Sequence, residues 1–221
     1  VSTRNPLAQQ YINQGLNLAY AFNHAEARRA FREAARLDPG LAMAYWGQAL
    51  VLGPNINAMM EPNEEPQALE IVQRAKSLMT DASPKEQALI NALEKRYSGQ
   101  AEQREANNKA YAEAMREVHQ RFPDDADIAM LYVESMMDLR PWGYWMLDGQ
   151  PYEGTAEIVA LTEEVLRRTR ILAKKDGVRF EGAYVVRAAA EREHGTVARA
   201  LQILGIDRDS LAQGSSRSTD S

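Results

Sequence analysis

Residues 8–41, AQQYINQGLNLAYAFNHAEARRAFREAARLDPGL, constrain this chain more than any other stretch. Two helical patterns stand back to back with only a Phe22-Asn23 turn between them. Tyr11, Gly15 and Leu18 share a face of the first. Ala27, Phe31 and Ala34 share a face of the second, which Asp38-Pro39 stops. Each set keeps the three-to-four residue spacing of a buried helical stripe. Neither helix can bury its stripe alone, so the pair asks for further helices beside it. The composition agrees. Alanine is abundant, β-branched runs are scarce, and Gly and Pro fall mostly between periodic segments, which predicts an all-α chain. No apolar run approaches the roughly 18 residues of a membrane span. The absence of cysteine excludes disulfides and thiolate chemistry. The chain opens at Val1 rather than Met, which is compatible with an upstream signal peptide.

The rest of the pattern predicts helices at about 6–21, 23–37, 41–53, 65–79, 84–97, 102–121 and 126–139, and one starting near Thr155. Asn23 with Glu26 three residues on reads as a capping box. Two connections are long: PNINAMMEPNE at 54–64 and RPWGYWMLDGQPYEG at 140–154. Charge is uneven along the chain. Residues 167–221 hold eleven Lys/Arg against seven Asp/Glu, a balance of +4, which leaves −9 for the remainder of a chain whose net charge is −5. An acidic body with a mildly basic tail suggests two parts with different partners.

Tyr11, Gly15, Leu18, Ala27, Phe31, Ala34 and Pro39 resemble the tetratricopeptide (TPR) pattern, whose unit is about 34 residues. In that register Tyr45 answers Tyr11, and Ala49 answers Gly15. The longer run, with FNHAEA, YWGQALVLGPNIN and RPWGYW, is similar to a group of bacterial TPR-repeat proteins over about residues 4–166. The resemblance implies an α-solenoid of helical hairpins over 1–168. A small helical module would follow at 169–212, and a polar tail at 213–221. Within the module, Gly195, Ala198-Arg199-Ala200, Leu204-Gly205-Ile206, Arg208, Ser210 and Leu211 resemble a Fis-type helix-turn-helix. By that analogy Arg199, Arg208 and Ser210 would face duplex DNA. The sequence departs from the family at Asp207 and Asp209, and at Ala212-Gln213-Gly214, where phosphate contacts call for basic residues. A genuine helix-turn-helix would favour the cytoplasm. An upstream signal peptide would mean export.

Candidate sites follow from this frame. The TPR resemblance implies a concave groove lined by Gln9, Ile12 and Leu16, then Met43, Trp46 and Leu50, then Ala129, Tyr132 and Met136. The set is apolar and lacks the basic pattern that grips a terminal carboxylate, so it suits an apolar helix or peptide. Equally, these residues suit a plain core. The connections carrying His24, the Asn55/Asn57 loop, and the loop with Trp142, Tyr144, Trp145 and Asp148 should converge on one edge of a hairpin array. There they would form a pocket or docking surface, or staple the two long loops. His24, His119 and His194 show no metal-ligand spacing, and no nucleophile motif or phosphate loop is present, so no metal, cofactor or catalytic residue is expected. The leading expectation is a non-catalytic scaffold for a protein or peptide, with no membrane partner. The alternative is a transcription regulator whose tail binds duplex DNA.

Overall fold

The computed structural model describes residues 1–175. Among them are eight α-helices and no strand. They are α1 (Pro6–Tyr20), α2 (His24–Leu37), α3 (Ala42–Leu50), α4 (Glu65–Leu78), α5 (Pro84–Glu94), α6 (Arg104–Arg121), α7 (Ala126–Met137) and α8 (Thr155–Lys175). Each helix packs against the next in sequence, and α1, α3 and α5 also touch in order. The described part of the chain is therefore all-α and built from successive helical neighbours. Helix α8 runs unbroken through residue 168, where the sequence placed the change of module. Residues 176–221, including Arg199, Arg208, Ser210 and the whole helix-turn-helix resemblance, lie outside the described residues.

Phe31 anchors the first three helices. It is fully buried, and its ring lies against Gly15 of α1 and Gly47 of α3. A Cβ at Gly15 would stand 2.6 Å from the ring, and one at Gly47 would stand 2.5 Å from it. Only glycine lets two helix backbones close on one aromatic ring from opposite sides. The second glycine is not the expected partner, since the repeat register points to Ala49. The buried face of α1 also differs from the expected one. Ala8, Ile12 and Gly15 are buried, while Tyr11 and Leu18 lie at its rim. In α2 the stripe is as expected, with Ala27, Phe31 and Ala34 buried.

The turn between α1 and α2 corrects another expectation. The Asn23 side chain makes no capping hydrogen bond, and Glu26 pairs with Arg29 instead. Asn23 is held by the end of α1: its N–H donates to Leu18 O at 2.9 Å, while Phe22 takes a left-handed backbone, φ 58°. This six-to-one closure is the Schellman ending, usually made with glycine at the left-handed position. A full capping box is found at α5, where Ser83 and Glu86 exchange hydrogen bonds. Thr155 begins α8, but its hydroxyl donates to Tyr144 O at 2.7 Å and so pins the preceding loop.

The connections fall into two sets. Even-to-odd connections are short and polar. There the N-terminal residues strap α2 to α5: Thr3 donates to Asp38 at 2.6 Å, and the Ser2 N–H to Glu86 at 2.6 Å. Lys85 pairs with Asp125 at 2.7 Å along the same side. Odd-to-even connections include both long loops. Each loop has its own internal order. Asn55 and Ala58 pair across a tight turn, and Trp145 pairs with Pro151 in a short hairpin.

Candidate functional site

The roots of the odd-to-even connections meet at a residue the sequence reading passed over, Arg96, one residue beyond the C-cap of α5. It is 3 % exposed. Its Nη2 donates to Pro54 O at 2.7 Å and to Asp138 Oδ2 at 2.6 Å. One guanidinium thus ties the start of the second connection to the start of the fourth. The same head stands over the Tyr111 ring, 4.8 Å from its centroid. Gly53 makes room for it, since a Cβ there would meet Arg96 Nη1 at 2.8 Å. The neighbouring Tyr97 hydroxyl donates to Ala49 O at 2.6 Å, fastening α5 to α3. A buried fork of this kind suits arginine because its planar donors serve two acceptors at once.

The first connection reaches the same place through His24. Burial lowers the affinity of its imidazole for a proton, the positive charge of Arg96 lowers it further, and a hydrogen bond with the Val51 backbone opposes both. Its Nε2 is buried without a partner. The fourth helix pair supplies two acids one turn apart, Glu134 of α7 and Asp138 at its C-cap. Burial raises the Asp138 carboxyl to about 6, against the opposing charge and hydrogen bond of Arg96. Burial, followed by the charge of Asp138, raises Glu134 to about 7, with Arg96 again opposing. Tyr20, the last residue of α1, lies near enough to feel the charge of Glu134. Its hydroxyl donates to Asp127 at 3.1 Å, bridging α1 to α7. Burial, then Asp127 and Glu134, raise that hydroxyl well above its usual range.

The expected groove residues are placed differently. Trp46 is 2 % exposed and Tyr132 is 0 % exposed; Ile12, Met43, Leu50, Ala129 and Met136 are buried with them, and Gln9 and Leu16 are half-buried. Apart from Gln9, whose side-chain amide hydrogen-bonds with Val1 and Asn13, they pack into or against the core of their own chain, the plain-core reading of the two that the sequence leaves open. The Tyr132 hydroxyl serves the fold as well: it accepts from Arg116 Nε at 2.8 Å and donates to Glu157 at 2.9 Å. Helical spacing alone cannot separate a concave lining from a core face, because both demand the same stripe.

The loop residues divide by role. Asn55 folds its own turn, its Oδ1 accepting the Asn57 and Ala58 N–H groups at 2.9 and 3.1 Å. Asp148 does the same for Gln150 at the hairpin tip, 3.0 Å away. Tyr144 is buried and donates to Met137 O at 3.3 Å, stapling the loop to α7. Trp145 is half-buried in the hairpin pair. Trp142 is 57 % exposed and sits at φ 62°. Phe22 likewise is exposed, left-handed, and stacked on His24 at a centroid distance of 6.2 Å.

Exposed apolar side chains gather on these connections. Among the described residues the large exposed hydrophobics are Val1, Leu7, Tyr20, Phe22, Met59, Leu139, Trp142, Met146 and Leu147. All but the first two stand at or within odd-to-even connections. The two non-glycine residues with positive φ among the described residues, Phe22 and Trp142, are both there. Among the described residues, no group of three His, Asp or Glu side chains is arranged to hold a metal ion, and no helix is long and apolar enough to cross a membrane. No protein-family model, no curated protein and no solved structure matches the chain.

Proposed function

We propose that this chain is a TPR-type solenoid scaffold that docks a protein or peptide on its odd-to-even edge. The observation that carries this reading is the concentration of exposed apolar side chains there, with Phe22 and Trp142 held in left-handed backbone. A bulky residue at positive φ is strained, and such strain collects where a surface is shaped for a purpose. Large exposed apolar groups gathered on one side of a protein mark interaction surfaces. Aromatic anchors such as Trp142 and Phe22 would supply most of the affinity, because burying them removes large apolar areas from water. The buried Arg96 fork fixes the roots of the loops, so the surface is presented on a rigid base.

Affinity capture of partners with the intact chain tests the reading when run beside a Phe22→Ala/Trp142→Ala/Leu147→Asp variant. All three side chains are exposed, so the variant should keep its helicity. Loss of the captured partner with unchanged circular dichroism supports the edge. Equal recovery from both proteins removes the edge as the site.

A further inference from the structure

The odd-to-even edge carries charge as well as apolar surface. Its connections at residues 51–64, 95–103 and 138–154 hold six acids, Glu61, Glu64, Glu102, Asp138, Asp148 and Glu153. Against them stand three bases, Lys95, Arg96 and Arg140, a balance of −3. The first connection, 21–23, is uncharged. Arg96 and Asp138 cancel each other in the interior. Arg140 lies over the Tyr152 ring, 4.1 Å from its centroid. Glu61, Glu102, Asp148 and Glu153 are exposed. These acids stand on the same loops as the exposed apolar groups. Met59 lies two residues before Glu61, and Leu147 immediately before Asp148.

An apolar surface with an acidic rim selects its partner by charge as well as by shape. Like charges brought together across an interface cost affinity, so an acidic or phosphate-bearing partner is repelled. A partner with both apolar and basic side chains satisfies both parts of the edge. Phe22 and Trp142 add exposed aromatic faces, which attract ammonium and guanidinium groups as well as apolar ones. Met59 and Met146 are exposed too, and their flexible thioethers repack readily against an apolar stripe. A helix with apolar residues at every third to fourth position and lysine or arginine between them presents this combination on one continuous element.

Resting on the edge-docking reading above, we infer that the segment docked on the odd-to-even edge is a basic amphipathic helix of a partner protein. Its apolar stripe covers Phe22, Met59, Trp142 and Leu147. Its lysine or arginine flank faces Glu61, Asp148 and Glu153. Rim charges are screened by salt, so binding weakens as ionic strength rises.

The test is fluorescence anisotropy of the intact chain with two labelled peptides of about fourteen residues, or roughly 21 Å of helix. Both carry a leucine stripe at helical spacing; one has lysine at the polar positions and the other glutamate. The lysine peptide should bind roughly tenfold more tightly at low salt, with the gap narrowing as salt rises. Glu61→Gln/Asp148→Asn/Glu153→Gln keeps the side-chain oxygens that the local turns use and should remove most of that preference. The matched neutralisation Glu70→Gln/Glu113→Gln/Glu117→Gln, at exposed positions of α4 and α6, should leave it intact. Equal loss in the two triple variants would reduce the preference to the net charge of the chain and overturn the inference. Equal binding of the two peptides, both lost in Phe22→Ala/Trp142→Ala, overturns the basic partner and leaves the edge reading standing. A lysine preference unchanged in Phe22→Ala/Trp142→Ala removes the edge, and the inference with it. Failure of the lysine peptide to bind overturns the inference outright. Self-association of the chain in sedimentation, lost in the same double variant, would make a second copy the occupant and overturn it as well.

Discussion

Gly47→Ala should loosen the first three helices even though alanine is the better helix former. An ideal Cβ at residue 47 would lie 2.5 Å from Phe31 Cδ1 and Cε1 and 2.7 Å from Cγ. Carbon atoms in van der Waals contact sit about 3.5–4.0 Å apart, so the methyl would penetrate the ring by roughly 1 Å. Phe31 cannot retreat, because it is fully buried and Gly15 backs the ring from α1. Overpacking of this kind costs about 1–3 kcal/mol. Replacing a mid-helix glycine with alanine returns about 1 kcal/mol. Because the methyl would overlap three ring carbons at once, the cost lies in the upper part of that range, about 2–3 kcal/mol. The net loss is therefore about 1–2 kcal/mol, a fall in Tm of about 2–8 °C for a chain of this size. Thermal unfolding by circular dichroism measures it. The control is a double-mutant cycle with Phe31→Leu, which shortens the side chain. In that background Gly47→Ala should be neutral or stabilising, with a coupling of about 1 kcal/mol or more. A single variant at or above the wild-type Tm would refute the clamp.

Three further outcomes follow from the site. Arg96→Met strands Asp138 and the Pro54 carbonyl in the interior and should lower stability in urea by about 3–5 kcal/mol, more than Asp138→Asn does; a loss below about 1 kcal/mol would show that the fork does not hold the loops. Glu134 is raised from 4.5 to about 7 in the folded chain, so its favourable contribution is complete below about pH 4.5 and is lost as pH rises through 7. Glu134→Gln should therefore flatten that part of the urea-stability profile and gain on the order of 1–3 kcal/mol at pH 8; an unchanged profile contradicts the burial argument. Phe22→Gly relieves a left-handed backbone at φ 58° while removing an exposed ring, so stability should rise by about 0.5–1 kcal/mol as partner recovery falls; destabilisation would mean the ring is structural.

The α2 stripe was legible in the sequence because Ala27, Phe31 and Ala34 repeat at helical spacing against neighbours on both sides. The same rule misplaced the face of α1. Tyr11 is conspicuous in the sequence, yet the large tyrosine settles at the rim while Ala8 and Ile12 go inward. The repeat register matched Ala49 to Gly15, but the residue facing Phe31 is set by the rotation of α3 about its axis, and that is Gly47. Asn23 looked like an N-cap because residue type and spacing fit. The C-terminal closure of α1 had already claimed it, a competition between two helices that no local rule reads. Arg96 was hidden among surface-like charges in EKRY. Its importance depends on Pro54 and Asp138, both 42 residues away along the chain. A trace of the cluster was present all the same. Glu134 and Asp138 follow the apolar run 128–133 of α7 four residues apart, and acids beside such a run need a partner. The groove residues were ambiguous for a simpler reason: apolar lining and core share one pattern, and in this chain Trp46 and Tyr132 are packed by neighbouring helices.

The account stands or falls on the odd-to-even edge as the docking surface. Hydroxyl-radical footprinting of the intact chain with and without its captured partner reads this directly, since Phe22, Met59, Trp142, Met146 and Leu147 are exposed and report their own burial. The edge predicts protection of these residues together, with Leu7 on α1 and the even-to-odd connections unchanged. Protection at the even-to-odd connections while Trp142 and Leu147 stay reactive would contradict it.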